Sequence, residues 1–386
     1  MENMTSVQKK QKLIGKYLNI GNAGFRSIRN SEYVDKSGLI DFMNRCLNTP
    51  QKLSCVSRPR RFGKSFATKM LCAYYSRGCD SRDLFADLKI AEAASFEQNL
   101  NQYDVIYLDI TLFLSTLKQS DMLVAQIEQE IIDDLAQSYP EIAAEHRLVD
   151  SLCKMNQITG RKLILIIDEW DAMFRECKGA DEILDNYILL LRSLFKSSLT
   201  DQLFAGVYMT GILPIKKYGH ESAVSDFYEY SMVEPRPLQE YIGFTTEEVK
   251  SLCQKYDKDY TIMQEWYDGY TVGGVHVYNP KSVMESILRD KYSSYWTKTE
   301  TYEALRNYID MNFDGLKDTV VDMLGGEKCE VDTGSFQNDM TSMKSRDDVL
   351  TLLIHLGYLA YDEDTRCVSI PNVEIREEFI RAIKNG

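Results

Sequence analysis

The sequence predicts an α/β protein whose core is built on a mostly parallel sheet, followed by a helical region. Short apolar runs, which indicate buried strands, alternate along the first half of the chain with segments whose apolar residues recur at helical spacing. Near residue 215 the composition shifts, and helical patterns then prevail. We therefore expect two units: residues 1–214 form the α/β core with its N-terminal segment, and residues 215–386 form a helical lid.

The first predicted strand leads into a loop that ends in Gly-Lys-Ser. An apolar run at residues 53–56 precedes this loop, and a helical pattern that includes Met70 and Leu71 follows it. This order of strand, loop and helix is typical of a phosphate-binding loop, because N–H groups at a helix N-terminus favour an anion. The residues that we expect to bind a nucleotide are Arg58, Pro59, Arg60, Arg61, Phe62, Gly63, Lys64, Ser65 and Phe66.

Three residues of this loop have specific predicted roles. Gly63 lets the backbone approach the phosphates, Lys64 contacts the β- and γ-phosphates as a catalytic residue, and Ser65 is a ligand of Mg²⁺. The loop departs from the pattern G-x-x-x-x-G-K-[ST], because Arg58 stands at the position of the first glycine. A surface turn with solvated basic side chains is therefore the alternative interpretation.

A second motif favours the nucleotide site. Five consecutive apolar residues, 163–167, indicate a strand that is buried on both faces, and Asp168 and Glu169 follow it directly. Parallel sheets bind ligands at the carboxyl ends of their strands. We expect Asp168 to hold Mg²⁺ through water and Glu169 to position or activate the attacking water. A strand that merely ends in an acidic turn is the alternative.

Two further apolar runs complete the predicted sheet. They occupy residues 105–110 and 203–209, and amphipathic helical patterns at 122–135 and 183–195 separate the predicted strands. Thr210 follows the last run, at the position where P-loop ATPases place a sensor of the γ-phosphate. Thr210 either has this catalytic role or caps a turn.

Composition and charge limit the classes of partner. The net charge of −13 argues against direct binding of nucleic acid by this chain, whereas the local basic cluster of the loop suits a triphosphate. The nine cysteines form no C-x-x-C pair, which favours reduced thiols in a cytoplasmic protein. No apolar run approaches the length of about 18 residues that a membrane-spanning helix needs.

The last part of the chain predicts a helix at 346–356, a hairpin between residues 358 and 370, and a final helix. This order resembles a winged-helix unit, and its acidic character favours a packing or regulatory lid that binds a protein partner. The aromatic segment Trp266–Tyr270 is either a recognition surface or a packed hinge. Residues 216–222 are predicted to form a loop over the site.

Together these motifs resemble the bacterial AAA-ATPase-like family, whose P-loop domain is commonly fused to a C-terminal PD-(D/E)XK nuclease-like domain. The resemblance implies an ATPase core with a helical lid, and it gives Lys64, Ser65, Asp168 and Glu169 their usual roles. The Arg-Pro-Arg-Arg form of the loop is then a family trait. The nuclease-like domain is absent here, so the chain is a shortened form of a longer protein or a naturally short member. The matching strings are YVDKS (33–37), SRPRRFGKS (57–65), IIDEWD (166–171), TGI (210–212), GFT (243–245), WYDGY (266–270), VYNP (277–280) and IPN (370–372).

The sequence thus predicts an ATP-binding P-loop protein with slow Mg²⁺-dependent hydrolysis that controls the position of the lid, in a regulatory role within a larger system. The alternative is a module that binds a protein or nucleic-acid partner in a nucleotide-dependent way without hydrolysis. Neither the oligomeric state nor an arginine finger follows from the residues.

Overall fold

A computed structural model of the chain describes residues 14–118, 120–177, 179–196, 198–215, 224, 226–296, 302–337 and 343–384. The strands are β1 Leu53–Ser57, β2 Asp104–Asp109, β3 Leu163–Asp168, β4 Phe204–Gly211, β5 Tyr228–Tyr230, β6 Phe244–Thr245, β7 Tyr270–Val272, β8 Val275–Tyr278, β9 Cys329–Glu330, β10 Ala360–Asp362 and β11 Cys367–Ser369. The helices are α1 Ala23–Arg29, α2 Gly38–Cys46, α3 Lys64–Tyr75, α4 Arg82–Phe85, α5 Phe96–Asn99, α6 Ile110–Thr116, α7 Leu123–Ser138, α8 Leu148–Thr159, α9 Ala172–Glu176, α10 Asp181–Phe195, α11 Thr200–Leu203, α12 Thr246–Lys255, α13 Tyr260–Tyr267, α14 Pro280–Arg289, α15 Tyr302–Asp310, α16 Leu316–Leu324, α17 Arg346–Leu356 and α18 Val373–Lys384.

The main sheet has five strands in the order β2-β3-β4-β1-β5. All of its neighbouring pairs are parallel, and helices lie between the successive strands β1 to β4. The predicted α/β core with a mostly parallel sheet is therefore confirmed. β4 lies between β1 and β3, so one strand separates the strand before Gly-Lys-Ser from the strand that ends in Asp168.

Both faces of this sheet are covered, as the continuous apolar run of β3 predicts. Ile164 and Ile166 belong to an apolar cluster with residues of α2, α3 and α17. Leu165 and Ile167 point to the opposite face, where they join a second cluster with α7, α8 and α10. Successive strand residues point to opposite faces, so burial of every residue of β3 requires helices on both sides.

The strand register brings the predicted site residues to one edge of the sheet. Asp109 of β2 pairs with Asp168 of β3, Asp168 pairs with Thr210 of β4, and Thr210 pairs with Val56 of β1. Because the strands are parallel, this row lies at their carboxyl ends. The loop that follows β1 begins at the same edge.

The region after the main sheet is helical but also contains two small antiparallel sheets. Their orders are β6-β8-β7 and β10-β11-β9. α17, β10, β11 and α18 follow one another in the predicted order of helix, hairpin and helix. Their assignment as a winged helix stays a prediction, as does the boundary at residue 215.

Some elements were not expected from the sequence. β5 is a three-residue strand that pairs with one edge of β1, and β7 and β8 form a hairpin where only an aromatic segment was apparent. Such short strands leave almost no periodicity to detect. The loop predicted at 216–222 lies outside the described residues. In the part of the chain that the structure describes, every helix is too short or too polar to cross a membrane.

Candidate functional site

The loop between β1 and α3 ends in a left-handed glycine. Gly63 has φ of +96°, and a Cβ at this position would meet no atom within 4 Å. The left-handed region costs little only for glycine, so Gly63 permits the turn into α3. The open space beside it gives a ligand access to the backbone at the helix N-terminus, where an anion is favoured.

Lys64 is buried and joins the two predicted motifs. Its Nζ donates to the carbonyl oxygens of Arg58 and Pro59 at 3.1 and 3.2 Å. The same Nζ lies 3.2 Å from Oε1 of Glu169, and only 4% of the Lys64 side chain is exposed. The Gly-Lys-Ser loop and the Asp-Glu end of β3 therefore meet directly.

Asp168 is a buried carboxylate that accepts several hydrogen bonds. Its Oδ2 accepts from the hydroxyls of Thr68 and Tyr107, each at 3.3 Å, and its Oδ1 accepts from the N–H of Glu169 at 3.1 Å. Burial raises the pKa of Asp168 to about 6, and a hydrogen bond with Ser65 opposes this shift.

The Ser65 hydroxyl and the Asp168 carboxylate thus lie side by side. Mg²⁺ prefers hard oxygen ligands, so the two residues fit this ion chemically. A cation held there would stabilise the ionised form of Asp168, which burial otherwise disfavours.

Glu169 is held between two cations. Its Oε1 faces Lys64, and its Oε2 lies 2.6 Å from Nη2 of Arg175. Burial acts to raise the pKa of Glu169, but Lys64 and Arg175 outweigh it, and the pKa lies below its usual value. The backbone of Glu169 is left-handed with φ of +51°, a conformation that is uncommon outside glycine and that directs this side chain across the edge of the sheet.

Sequence reasoning missed Arg175 and Asp171. Arg175 lies on the short helix α9, and its Nε is 3.0 Å from Oδ2 of Asp171. Asp171 in turn accepts from the N–H groups of Ile212 and Leu213, directly after β4. The spacing of Asp171 and Arg175, four residues apart, was the available signal, because such residues are neighbours on a helix.

A cavity of about 910 Å³ opens at this edge. The polar part of its lining includes Lys64, Ser65, Asp168, Glu169 and Arg175. The other part is apolar and includes Tyr33, Val34, Tyr241, Phe244, Met284 and Leu288. Residues before β1, residues of the sheet edge and residues of the predicted lid therefore share one cavity.

Arg58 and Pro59 do not line this cavity, although both were predicted to bind the nucleotide. The Arg58 side chain is fully buried, and its Nη1 donates to the carbonyl oxygens of Ser57, Tyr230 and Ser231, each at 2.9 Å. Pro59 packs against Gly357 at the end of α17. These two residues anchor the loop to the protein interior.

The remaining loop residues do line the cavity, in different ways. Phe66 is 51% exposed, whereas Phe62 is buried and packs edge-on against Tyr270. Arg61 donates to the carbonyl oxygen of Tyr295, in the predicted lid. Arg60 lies close enough to Glu169 to lower its pKa, after the larger effects described above.

Thr210 lies in the row of residues at the carboxyl ends of the strands, but it does not line the cavity. It is fully buried, and its Oγ1 donates to the carbonyl oxygen of Val56 at 2.8 Å. This hydrogen bond joins β4 to β1 beneath the loop. A role as a phosphate sensor stays a prediction.

One relative, described as "Uncharacterized protein in vnfD 5′region" from Azotobacter chroococcum mcd 1, is 24% identical over 299 residues. The match covers 74% of this chain and 54% of that protein, so the chain spans about half the length of the relative.

Two solved structures resemble the chain weakly. The Aeropyrum pernix ORC2 protein, solved as ADPNP-ADP complexes, has 14% identity and a TM-score of 0.36, with coverage of 93% of this chain and 98% of that one. Caenorhabditis elegans PCH-2 has 10% identity and a TM-score of 0.25, with coverage of 94% and 72%. With TM-scores this low, neither structure supports an argument about this chain.

The family comparison is decisive. A family model described as "Predicted AAA-ATPase" matches residues 19–220, which include the loop, all of β1 to β4 and the cavity residues of the sheet edge. The match covers more than half of the chain, and it supports a nucleotide-binding P-loop protein. The chain belongs to the AAA-ATPase-like family.

Proposed function

We propose that this chain binds Mg²⁺-ATP in the cavity at the sheet edge and hydrolyses it slowly, and that the nucleotide sets the position of residues 215–386. The chain would thereby regulate a larger system. One observation supports this proposal most directly: the Lys64 ammonium and the Glu169 carboxylate lie 3.2 Å apart at the carboxyl edge of the sheet. A phosphate-binding lysine and a candidate general base that act on one triphosphate have to lie at the same edge of the sheet, and this contact supports that arrangement.

The two parts of the cavity suit the two parts of a nucleotide. Lys64 and the backbone at Gly63 face the polar part, where a triphosphate would find positive charge and N–H donors. Tyr33, Tyr241 and Phe244 belong to the apolar part, which suits a base. Ser65 and Asp168 would hold Mg²⁺, and the ion would offset the charge of the phosphates.

A connection between the loop and the predicted lid supports the regulatory part of the proposal. Arg61 donates to the carbonyl oxygen of Tyr295, and the N–H of Tyr295 donates to Glu374 of α18 at 2.7 Å. Glu374 also accepts from the Ser282 hydroxyl of α14 at 3.0 Å. A change in the loop on nucleotide binding would therefore reach two helices of the lid.

A second candidate function is a module that binds nucleotide without hydrolysis. Both oxygens of Glu169 lie in ion pairs, one with Lys64 and one with Arg175, and a carboxylate so engaged is not available to activate water. Release of phosphate above background, dependent on Mg²⁺ and ATP, would favour the enzyme. Binding without any such release would favour the module.

The first experiment measures the affinity for Mg²⁺-ATP by calorimetry in the parent, Lys64→Ala and Lys69→Ala. Lys69 lies on the same helix but outside the cavity lining, so K69A is the matched control. We expect K64A to weaken binding about ten- to a hundredfold, because charge-assisted hydrogen bonds to phosphate are lost, and K69A to bind as the parent does. Equal affinity in K64A and the parent would contradict the proposal.

A second variant separates binding from turnover. Glu169→Gln removes the charge that faces Lys64 and leaves the side chain the same size. We expect E169Q to bind at least as tightly as the parent and to lose phosphate release. Unchanged phosphate release would remove Glu169 from the mechanism.

A further inference from the structure

The site contains a second cation that the Gly-Lys-Ser and Asp-Glu motifs do not include. Arg175 is 9% exposed and lies between two carboxylates, with Nη2 at 2.6 Å from Glu169 and Nε at 3.0 Å from Asp171. A guanidinium that binds two carboxylates at once is fixed in orientation, because its donors form a rigid fork.

Asp171 makes the position of Arg175 independent of Glu169. Its two oxygens accept from the N–H groups of Ile212 and Leu213 at 3.2 and 3.0 Å, and the side chain is buried. These N–H groups belong to the segment directly after β4, so Asp171 is held by the main sheet. Arg175 would therefore stay in place when Glu169 changes its other partner.

Of the two cations that pair with Glu169, a bound nucleotide would compete for Lys64 but not for Arg175. Its Oε1 pairs with Lys64, whose ammonium is the predicted phosphate ligand, and its Oε2 pairs with Arg175. When phosphates bind Lys64, they compete with the Glu169 carboxylate for the same charge. A buried carboxylate left without a cation is costly, so nucleotide binding depends on what remains beside Glu169.

We propose that Arg175 holds the Glu169 carboxylate when the phosphates of a nucleotide take Lys64, and so permits phosphate to bind there. Arg175 is then a positioning residue that acts through Glu169 and does not contact the phosphates. This inference rests on the proposed function, because it presupposes that Lys64 binds phosphate.

The test measures binding only, with Mg²⁺ and the non-hydrolysable ATP analogue AMPPNP, so that hydrolysis does not enter. Four proteins form a double-mutant cycle: the parent, Arg175→Met, Glu169→Gln and the double variant. We expect R175M to weaken binding about tenfold or more, as loss of a charge-assisted hydrogen bond implies. In the E169Q background we expect R175M to change affinity by less than about twofold, because residue 169 then carries no negative charge for Arg175 to balance.

Two further variants control for structural damage. Arg161→Met removes another arginine–carboxylate pair, more exposed and at the opposite edge of the sheet, where Nη2 of Arg161 lies 2.8 Å from Asp104 at the start of β2. We expect R161M to bind AMPPNP with the affinity of the parent. Arg175→Lys keeps the charge without the fork and should give an intermediate affinity, and it serves in place of R175M if that variant does not fold.

The possible outcomes separate this inference from the proposed function. Equal affinity of R175M and the parent would overturn the inference and leave the proposed function intact. Equal weakening by R175M in both backgrounds would mean that Arg175 acts on binding by a route other than Glu169, either through the phosphates or through the fold, which also overturns it. Absence of AMPPNP binding by the parent would remove the proposed function, and the inference with it.

Discussion

Arg58 illustrates how one residue can have a different role from the one that its motif predicts. Its guanidinium is fully buried and ties the end of β1 to Tyr230 and Ser231 through backbone carbonyls. Its Nε and Nη2 have no hydrogen-bond partner among the described residues, and burial lowers the pKa of Arg58 to about 10. The positive charge of this buried guanidinium lowers the pKa of a nearby basic group.

His355 of α17 is the group most affected. Its ring is buried and stacks on Phe336, and its Nδ1 has no hydrogen-bond partner within the part of the chain that the structure describes. Burial, together with the charge of Arg58, lowers the pKa of His355 from 6.5 to about 3. The native protein therefore keeps this imidazole neutral at a pH where the unfolded chain protonates it.

The consequence is a loss of stability in acid. Above pH 6.5 both states hold His355 neutral, whereas below it only the unfolded state gains a proton, so the free energy of unfolding falls as the pH falls towards 3. His355→Phe should abolish this contribution. We expect the stability of the parent relative to H355F to drop by roughly 2 kcal/mol between pH 8 and pH 5, as measured by urea unfolding. Parallel pH profiles for the two proteins would contradict this.

The residues of the site differ in how far sequence could predict them. The two motifs meet as expected and bring together Lys64, Ser65, Asp168 and Glu169. Each motif follows the carboxyl end of a strand, and the carboxyl ends of parallel strands lie at one edge of the sheet. The burial of Arg58 could not be predicted, because an arginine in a loop ordinarily reaches solvent. The pairing of Arg175 with Glu169 depends on the left-handed turn at Glu169, which no propensity indicates.

At the scale of elements, the segment that leads into β7 brings two of the sequence strings into contact. The end of α13 leads through Asp268 and Gly269 into β7, and Asn372 donates to the carbonyl oxygen of Asp268 at 2.7 Å. Asn372 also accepts from the N–H of Ile375 at the start of α18. The strings WYDGY and IPN are therefore in contact, and the aromatic segment includes a packed structural junction.

Two glycines of this junction offer a matched comparison. Gly269 has φ of +110°, and a Cβ there would lie 2.0 Å from the carbonyl oxygen of Pro371. Gly274, in the turn between β7 and β8, has φ of +84° and open space around it. Alanine at either position adopts an unfavourable left-handed conformation, but only at Gly269 does it also displace a neighbouring backbone.

We therefore expect unequal losses of stability from the same substitution. Gly274→Ala should lower the free energy of unfolding by about 1–2 kcal/mol, from backbone strain alone. Gly269→Ala should lower it by about 3 kcal/mol or more, since overpacking adds to the strain. Urea unfolding of the two variants measures this difference, and equal losses would mean that the contact with Pro371 yields without cost.

Most of the longer elements were predicted from the sequence, although α8, a helix of twelve residues, was missed. β3 and α10 gave clear apolar patterns and were predicted nearly to their ends, and α17 was predicted over its full range. β5 has three residues and pairs with β1 only in the folded chain, so tertiary contacts alone define it. The signals for the β7–β8 hairpin were Gly273 and Gly274, a pair typical of two-residue turns.

At the scale of the whole molecule, apolar packing crosses the predicted boundary at residue 215. One cluster contains Val56 of β1 and Leu71 of α3 together with Leu353 of α17 and Phe379 of α18. The opposite face of the sheet has its own cluster, and α12 to α14 form a third. Elements that share a buried cluster lose their packing together, so we expect the two predicted units to unfold as one.

The three tryptophans allow this expectation to be tested, because each lies in or against a different cluster. Trp170 belongs to the cluster on the α7 face, Trp296 to the cluster that crosses the boundary, and Trp266 packs against the third. Three variants that each keep one tryptophan, with phenylalanine at the other two positions, report the clusters separately. Within each variant, urea midpoints from fluorescence and from circular dichroism should agree to within about 0.2 M.

Nucleotide should then act on all three reporters alike. If the proposed site is correct, Mg²⁺-ATP at a hundred times its Kd should raise the free energy of unfolding by about 2.7 kcal/mol, whichever tryptophan is observed. This follows because a ligand that binds only the native state stabilises everything that unfolds with its site. A shift seen by Trp170 but not by Trp266 would instead show that the third cluster unfolds independently of the site. Tyr295 belongs to that cluster, so its contact with Arg61 would then not couple the cluster to occupancy of the site.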